Sequence, residues 1–570
     1  MEQKKCRHCG VDIEVTDDDL KYLDKISPTF DGKKFQIPPS TLCANCGDQR
    51  RFSHINHINL FRRKCDGTGK DIITSYHPDS MYAVYEMHYW PTDAWDPLKY
   101  GRDFDFTRSF FEQFHELDKA VPHQALSQEY VHDINSEYTN FAGKNKNCYM
   151  IFDSDENEEC LYCYGVNGST NSIDNYRDQK LELCYENIDC FNNYNCQYSF
   201  YSDSCTDSAF LYNCTSCTNC LFCVNLRQKE NYIFNEKVSR KEFEKMKELL
   251  KSYNHVQEYK KKFKELVLQF PHKYMHGVKN ENVTGNNIVE SKNAHYCFDS
   301  MKLWDCKNCF QTFMSLKDSM NISECGEGEL LYECVVNGYN AFNNQFSYQC
   351  FNQNTNIYYC NMCFRCSDCF GCVGLSRKRF CIFNKQYTEE EYPKIVAKII
   401  EHMVKTKEWG KFFPTKYSAH AYNLSTAYSY YPLTKEEVLA KGWKWQDPDK
   451  KEYKPQICEV PDNIDDVKED IMKEVLACSD CGRNFKIVAQ EFIFLKKQGV
   501  PVPKKCFNCR HEARIKHRTP KRLWKRTCMC NHSEHEEHRG GNCKNEFETA
   551  YAPERKEVVY CEECYLKEVI

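Results

Sequence analysis

Cysteine carries the chemistry of this chain, and its spacing separates two kinds of use. Near the N-terminus, Cys6-Arg-His-Cys9-Gly and Cys43-Ala-Asn-Cys46-Gly form two C-x2-C-G pairs. Near the C-terminus, Cys478-Ser-Asp-Cys481-Gly is followed by Cys506-Phe-Asn-Cys509. A tight turn presenting two thiolates, taken twice, supplies the four soft ligands of a closed tetrahedral zinc site, and glycine lets the backbone turn beneath the sulfurs. The C-x2-C-x24-C-x2-C interval of the second set is a zinc-ribbon signal. Paired spacing favours zinc over iron, and four thiolates with no open position imply a structural ion. A third set, Cys528, Cys530, Cys543, Cys561 and Cys564, offers five thiols for four places. His532, His535 and His538 are either substitutes there or decoration of a solvated loop. The expectation is about three structural zinc ions.

The two ends echo one another. CGRNFKI answers CGVDIEV, VPVPKKCFNC answers IPPSTLCANC, and LWKRTC answers LFRRKC, which sets Cys528 on Cys65. Tyr551-Ala-Pro-Glu and Tyr560 repeat the spacing of Tyr76-His-Pro-Asp and Tyr85, but Cys561 and Cys564 stand where the first copy has Glu86 and Tyr89. Cys65 is therefore expected to lack partners for a fourth ion.

The second use of cysteine lies between these ends. Cys214, Cys217, Cys220 and Cys223 fall on Cys363, Cys366, Cys369 and Cys372 at an offset of 149, and Ile233-Phe234-Asn235 falls on Ile382-Phe383-Asn384. Earlier, Cys160 and Cys163 fall on Cys306 and Cys309 at an offset of 146. Matches at fixed offsets over this length mark an internal duplication. The C-x2-C runs resemble iron–sulfur spacing but lack its closing proline. Packed thiols, a metal or cluster, and redox cysteines remain open readings, since a free cysteine also behaves as a small buried hydrophobe.

The elements that must position these groups follow. Helical periodicity is absent from the Cys-, Asn- and Tyr-rich copies, and short strands with closely recurring small residues suit a β-solenoid of irregular period. Asparagine suits its left-handed corners and hydrogen-bonded ladders. Each copy exits through a capping box, Ser239 with Glu242 and Thr388 with Glu391, into a helix expected to cap the solenoid end; Thr434 with Glu437 starts another that Gly442 stops. The fold class is thus α+β and multidomain: a duplicated Cys/Asn/Tyr-rich β-solenoid-like core with capping helices, flanked by N- and C-terminal zinc ribbons. The expected divisions are a ribbon at 1–65, an aromatic connecting region at 66–145, solenoid copies at 146–235 and 286–385, and a helical connector at 236–285. A helical and aromatic connector at 386–460, a ribbon with a basic stripe at 461–527 and a zinc-binding module at 528–570 complete the chain.

Bulk composition bounds the function. At 570 residues and 41% hydrophobic content the chain can build packed cores, and no run approaches the ~20 apolar residues of a membrane span. The N-terminus has no apolar signal segment, and many C-x2-C pairs in a long chain favour reduced thiols, so a cytoplasmic protein with no membrane partner is expected. Ten Lys/Arg against Glu512 alone lie between Lys504 and Arg526, leaving about −14 for the rest of a chain whose total is −5. Lys504, Lys505, Arg510, Arg514, Lys516, Arg518, Lys521, Arg522, Trp524, Lys525 and Arg526 are the candidate nucleic-acid contacts, cations for phosphates and Trp524 for stacking on bases. The competing use of that stripe is a basic face complementing the acidic remainder.

The segments FGCVGL with CIFNKQYTEEEY, the aromatic region ending GWKW, CGRNFKI with PVPKKCFNCR, and NEFETAYAPER with VVYCEECY resemble a family of uncharacterised multi-zinc-ribbon, Cys-rich repeat proteins, found mainly in candidate-phyla bacteria. The resemblance spans nearly the whole chain and implies no particular activity. No Walker loop, GxSxG, HExxH or dinucleotide fingerprint is present, so the reading leans away from an enzyme. The expected function is a non-enzymatic zinc protein binding nucleic acid, RNA foremost. The alternatives are a protein-interaction scaffold and an iron–sulfur or thiol-redox protein.

Overall fold

The computed structural model describes residues 2–129, 131–313, 315–324, 328–329, 333–337, 341–342, 345, 347, 349–350, 353–448, 452–532, 538 and 541–569. It is a mixed α/β assembly of many small sheets. In the first central copy the backbone pairs with itself in parallel at a constant step of twelve residues. Bridges run from Ile134 to Lys146 and on through Glu158, Thr170, Glu182, Tyr194, Thr206 and Thr218 to Glu230. Two more columns, Tyr149 to Ile233 and Phe152 to Val224, keep the same step. The irregular period expected from sequence is thereby corrected.

A three-residue unit generates this step. Every third residue from Asn147 to Asn231 has positive φ, between 45° at Asn171 and 61° at Glu156 among the non-glycines. These positions hold Tyr162, Leu183, Phe210 and Phe222 as well as asparagines, but no Val, Ile or Thr. A β-branched side chain meets the highest steric cost in the left-handed region, which accounts for that exclusion. Asparagine is therefore one of several residues at the corners, not the residue that makes them.

The next residue in each unit turns inward: Cys148, Ile151, Ser154, Asn157, Cys160 and Cys163 open a buried series that continues through Cys223. Its inward N–H groups find side-chain acceptors twelve residues earlier. Ser199 donates to Asn187 Oδ1 at 3.0 Å, Cys205 to Asn193 Oδ1 at 2.8 Å and Cys220 to Ser208 Oγ at 3.0 Å. Asn, Ser and Cys recur, alongside aliphatic residues such as Ile151 and Leu211, because the interior is narrow and its polar backbone must be satisfied.

The second copy repeats the parallel pairing with steps of eleven to thirteen residues, for example Glu281 to Lys292, Lys292 to Trp304, Leu303 to Leu316 and Thr355 to Ser367. Gly285 sits at an irregularity in its register with φ 138°, where a Cβ would lie 1.7 Å from Cys297 O. Both copies end alike. Phe234-Asn235 and Phe383-Asn384 make tight turns with positive φ at both residues. Asn235 accepts from Val224 N at 2.8 Å and donates to Val224 O at 2.9 Å, and Asn384 treats Val373 the same way at 2.8 and 2.8 Å.

All three capping boxes form, each with the hydroxyl accepting from the glutamate N–H and the carboxylate from the hydroxyl residue's N–H. Gly442, with φ 69°, follows the helix Lys435–Ala440. The helix Arg240–Leu249 packs on the last strands of the first copy, but Tyr253–Val267 lies along its side, with Phe263 against Phe210 and Phe222. The expected end-caps are thus shared between a terminal turn and helices on the flank.

The ribbons cross over. Residues of the N-terminal ribbon, Leu23, Phe35, Ile37 and Phe52, share a core with the second copy and the helix Glu391–Lys405. The C-terminal ribbon's Phe492, Leu495 and Phe507 share one with the first copy. Tyr76, Tyr82, Trp90, Phe110 and Phe114 of the aromatic region are buried, as expected for a packing role. No helix among the described residues is long and apolar enough to cross a membrane.

Candidate metal centres

Two four-sulfur groups are built on one plan. Cys6 and Cys9 sit in a turn closed by Gly10 N–H donating to Cys6 O at 2.9 Å, and Gly10 has φ 76°. Cys478, Cys481 and Gly482 (φ 73°) repeat that turn. The second pair of each group departs from the expected second knuckle. Cys43 and Cys506 are the N-caps of the helices Ala44–Phe52 and Phe507–Ile515, so Cys46 and Cys509 lie in a first helical turn. Gly47 is accordingly helical, not a turn residue. A helix N-terminus favours negative charge, which suits thiolates.

The sulfurs of Cys6, Cys9, Cys43 and Cys46 all lie within 4.8 Å of one another, as do those of Cys478, Cys481, Cys506 and Cys509. Cys9 and Cys43 sulfurs are 3.7 Å apart, and so are those of Cys481 and Cys506. An ion about 2.3 Å from four tetrahedral sulfurs sets them about 3.8 Å apart, so the donors fit a tetrahedral thiolate ion. Cys43 N–H donates to Cys6 Sγ at 3.3 Å. The Cys46 side chain, by hydrogen bonding, is the main cause lowering Cys43 to about 5.

A third group resolves the choice among five thiols: Cys528, Cys543, Cys561 and Cys564 converge. Cys561 N–H donates to Cys528 Sγ at 3.2 Å. Cys530, fully buried, lies outside that group and forms a smaller one with His538 and Cys564, whose sulfur is 3.5 Å from His538 Nε2. His532 pairs with Glu568 at the surface, and His535 lies outside the described residues. In the N-terminal echo, Glu86 N–H donates to Cys65 Sγ at 3.3 Å, the contact that Cys561 makes to Cys528. Glu86 and Tyr89 replace the remaining thiols there, and among the described residues Cys65 joins no ligand group.

The basic stripe requires correction. Arg510 and Arg514 point into the first copy, where each forms an ion pair with Asp174, at 2.6 and 2.8 Å, and Arg510 donates to Glu491 at 3.1 Å. Asp174 and Glu491 have no exposed surface. Lys521 is buried between Asp48 at 3.4 Å and Gln311 at 3.0 Å. Arg518 lies 4.0 Å over the Tyr430 ring and donates to Ser429 O. Arg510, Arg514 and Lys521 are buried on internal partners, and Arg518 is half-buried on its own. Lys504 lies over Tyr253 and Lys505 pairs with Asp480, both half-buried. Lys516, Arg522 and Lys525 are exposed, with Trp524 and Arg526 half-buried on the strand Trp524–Thr527. His511, on the same helix as Arg510 and Arg514, is buried beside Phe507 and Tyr164.

The central thiols behave as packing groups that donate. Cys190 Sγ lies 3.4 Å from both Ile188 O and Ser199 O, and Cys220 and Cys372 likewise meet the carbonyls two residues before and nine residues after them. Burial raises Cys196 to about 12. Among the described residues no three central sulfurs lie within 4.8 Å of one another. One further group, invisible at the sequence level because its members lie so far apart, is His57, Asp153 and Glu324. Burial raises Asp153 to about 7.

No family model matches the chain, and no curated protein does. A solved structure that matches, the crystal structure of a "putative acetyltransferase" from Desulfovibrio desulfuricans G20, is 9% identical with a TM-score of 0.11 over 50% of this chain and 82% of that one. At that TM-score the likeness carries no argument about fold or activity.

Proposed function

We propose that this protein is a non-enzymatic scaffold, held together by three structural zinc ions, that presents two β-solenoid copies to protein partners. The observation carrying this reading is that the ribbon helix Phe507–Ile515 spends its cations inside the molecule, on Asp174 and Glu491, rather than on its surface. A ribbon used that way is a fixed component of the assembly. The twelve-residue step supports a narrow solenoid, which offers a long, regular outer surface. Four thiolates per ion leave no position for substrate, which supports a structural metal. The described cysteines form no disulfides, which fits a reducing compartment.

RNA binding is the second reading, reduced to Lys516, Arg522, Lys525 and Arg526 with Trp524, whose ring lies 5.3 Å beneath the Arg522 guanidinium. Both readings are tested together. Metal analysis of anaerobically purified protein is expected to give three zinc ions and no colour. Cys528→Ser is expected to lower zinc by one, whereas Cys65→Ser and Cys530→Ser leave it unchanged. Pull-down is expected to yield a stoichiometric protein that survives nuclease. Nuclease-sensitive recovery with RNA affinity falling steeply with salt would replace the scaffold by the RNA reading. Brown protein with acid-labile sulfide would replace both.

A further inference from the structure

The junction of the N-terminal ribbon with both central copies holds a group that none of the sulfur sites uses. His57 follows the helix Ala44–Phe52, Asp153 lies in the strand Phe152–Asp155 of the first copy, and Glu324 lies in the second copy. One nitrogen of His57 and one oxygen from each carboxylate lie within 4.8 Å of one another. His57 is 1% and Glu324 6% exposed. His57 Nε2, Asp153 Oδ2 and Glu324 Oε1 make no hydrogen bond, and His57 Nε2 stands 3.4 Å from Glu324 Oε2.

The surrounding cations are already engaged. Lys521 is held by Asp48 and Gln311, and Arg177 by Asp189 at 3.6 Å and by Asp299. A buried carboxylate, Glu324, and a half-buried one, Asp153, thus converge with no counter-charge of their own, an arrangement that is costly unless a cation or a proton joins it. The imidazole is also oriented for coordination. His57 Nδ1 lies 2.6 Å from Tyr164 Oη. With Nδ1 donating to the phenol oxygen, Nε2 turns its lone pair toward the carboxylates, and metal-bound histidines use their second nitrogen in this way.

We propose that His57 Nε2, Asp153 and Glu324 bind one divalent first-row transition cation, of the Mn2+, Fe2+ or Zn2+ class. A mixed imidazole and carboxylate set suits ions between the soft and hard extremes, and a charge of +2 balances the two carboxylates. Three protein ligands leave coordination positions for water, unlike the closed thiolate groups. The ion pins together a ribbon, the first copy and the second copy, three segments far apart in sequence.

Mn2+ is the discriminating probe, because thiolate sites select softer ions. Full-length protein with its thiolate sites loaded with zinc is titrated with Mn2+, and free Mn2+ is followed by electron paramagnetic resonance. The expected result is one equivalent of Mn2+ bound per chain. Glu324→Gln and Asp153→Asn, which keep shape and remove charge, are each expected to weaken uptake at least tenfold with zinc content unchanged. His57→Gln is expected to do the same. Wild-type protein that takes up no Mn2+, Fe2+ or Zn2+ beyond its thiolate-bound zinc overturns the proposal. Uptake undiminished in Glu324→Gln and His57→Gln overturns it equally, by placing the ion elsewhere.

Discussion

Arg510 separates a ribbon that grips nucleic acid from a ribbon that is bolted into the protein. Its guanidinium is nearly buried, 2.6 Å from Asp174 and 3.1 Å from Glu491. With Arg514 the cluster holds two positive and two negative charges and is neutral. Arg510→Met keeps much of the side-chain volume and leaves one carboxylate uncompensated among Tyr162, Phe492 and Phe507. Breaking a buried pair in this way costs about 3–5 kcal/mol. An independent route bounds that cost. The orphaned carboxyl can take up a proton, and burial already raises Glu491 above its ordinary value of 4.5. Holding such a group neutral at pH 7 costs about 3.4 kcal/mol, and at pH 5.5 only about 1.4 kcal/mol. A group with a raised folded value stabilises fully below its unfolded value and loses that contribution as pH rises, so the variant should be weakest at neutral pH and recover toward pH 5. Urea unfolding of zinc-loaded protein at pH 7.0 and 5.5, read by tryptophan fluorescence, checks this, with the exposed Lys516→Met as control at within ~0.5 kcal/mol of wild type. A loss under about 1 kcal/mol at pH 7, or one equal at both pH values, refutes the reasoning.

The interior of the first copy should be sensitive to its small polar residues. Asn187→Ala strips the acceptor from Ser199 N–H and the donor from Cys196 O, and is expected to cost about 1–3 kcal/mol, measured by the same unfolding assay. Gly285→Ala places a methyl group 1.7 Å from Cys297 O and should abolish the register of the second copy, read as lost amide-exchange protection there while the first copy stays protected.

Much of the metal chemistry was legible without coordinates, because ribbon ligands come in pairs whose spacing is a property of local turns. The Cys65 and Cys528 echo was equally readable, as were the Ser239, Thr388 and Thr434 caps, since each depends on residues three apart. The twelve-residue step left a trace as well: from Cys148 onward every third residue is small or apolar, and the C-x2-C runs are where that frame is filled by cysteine. Spacing alone left packing, ligand and redox readings open, because a triplet with one left-handed residue has no familiar periodicity.

What only the tertiary structure decided is where charge goes. Lys504 to Arg526 reads as one basic stripe, yet the partners that bury Arg510, Arg514 and Lys521 come from Asp174, Glu491 and Asp48. A cation's surface role depends on whether a distant carboxylate meets it, and no local pattern encodes that meeting. The same holds for His57, Asp153 and Glu324, each unremarkable in its own segment. The chain's covalent order sets which turns can hold a metal, while long-range packing of the terminal modules on the central copies sets which ionisable groups are left facing one another.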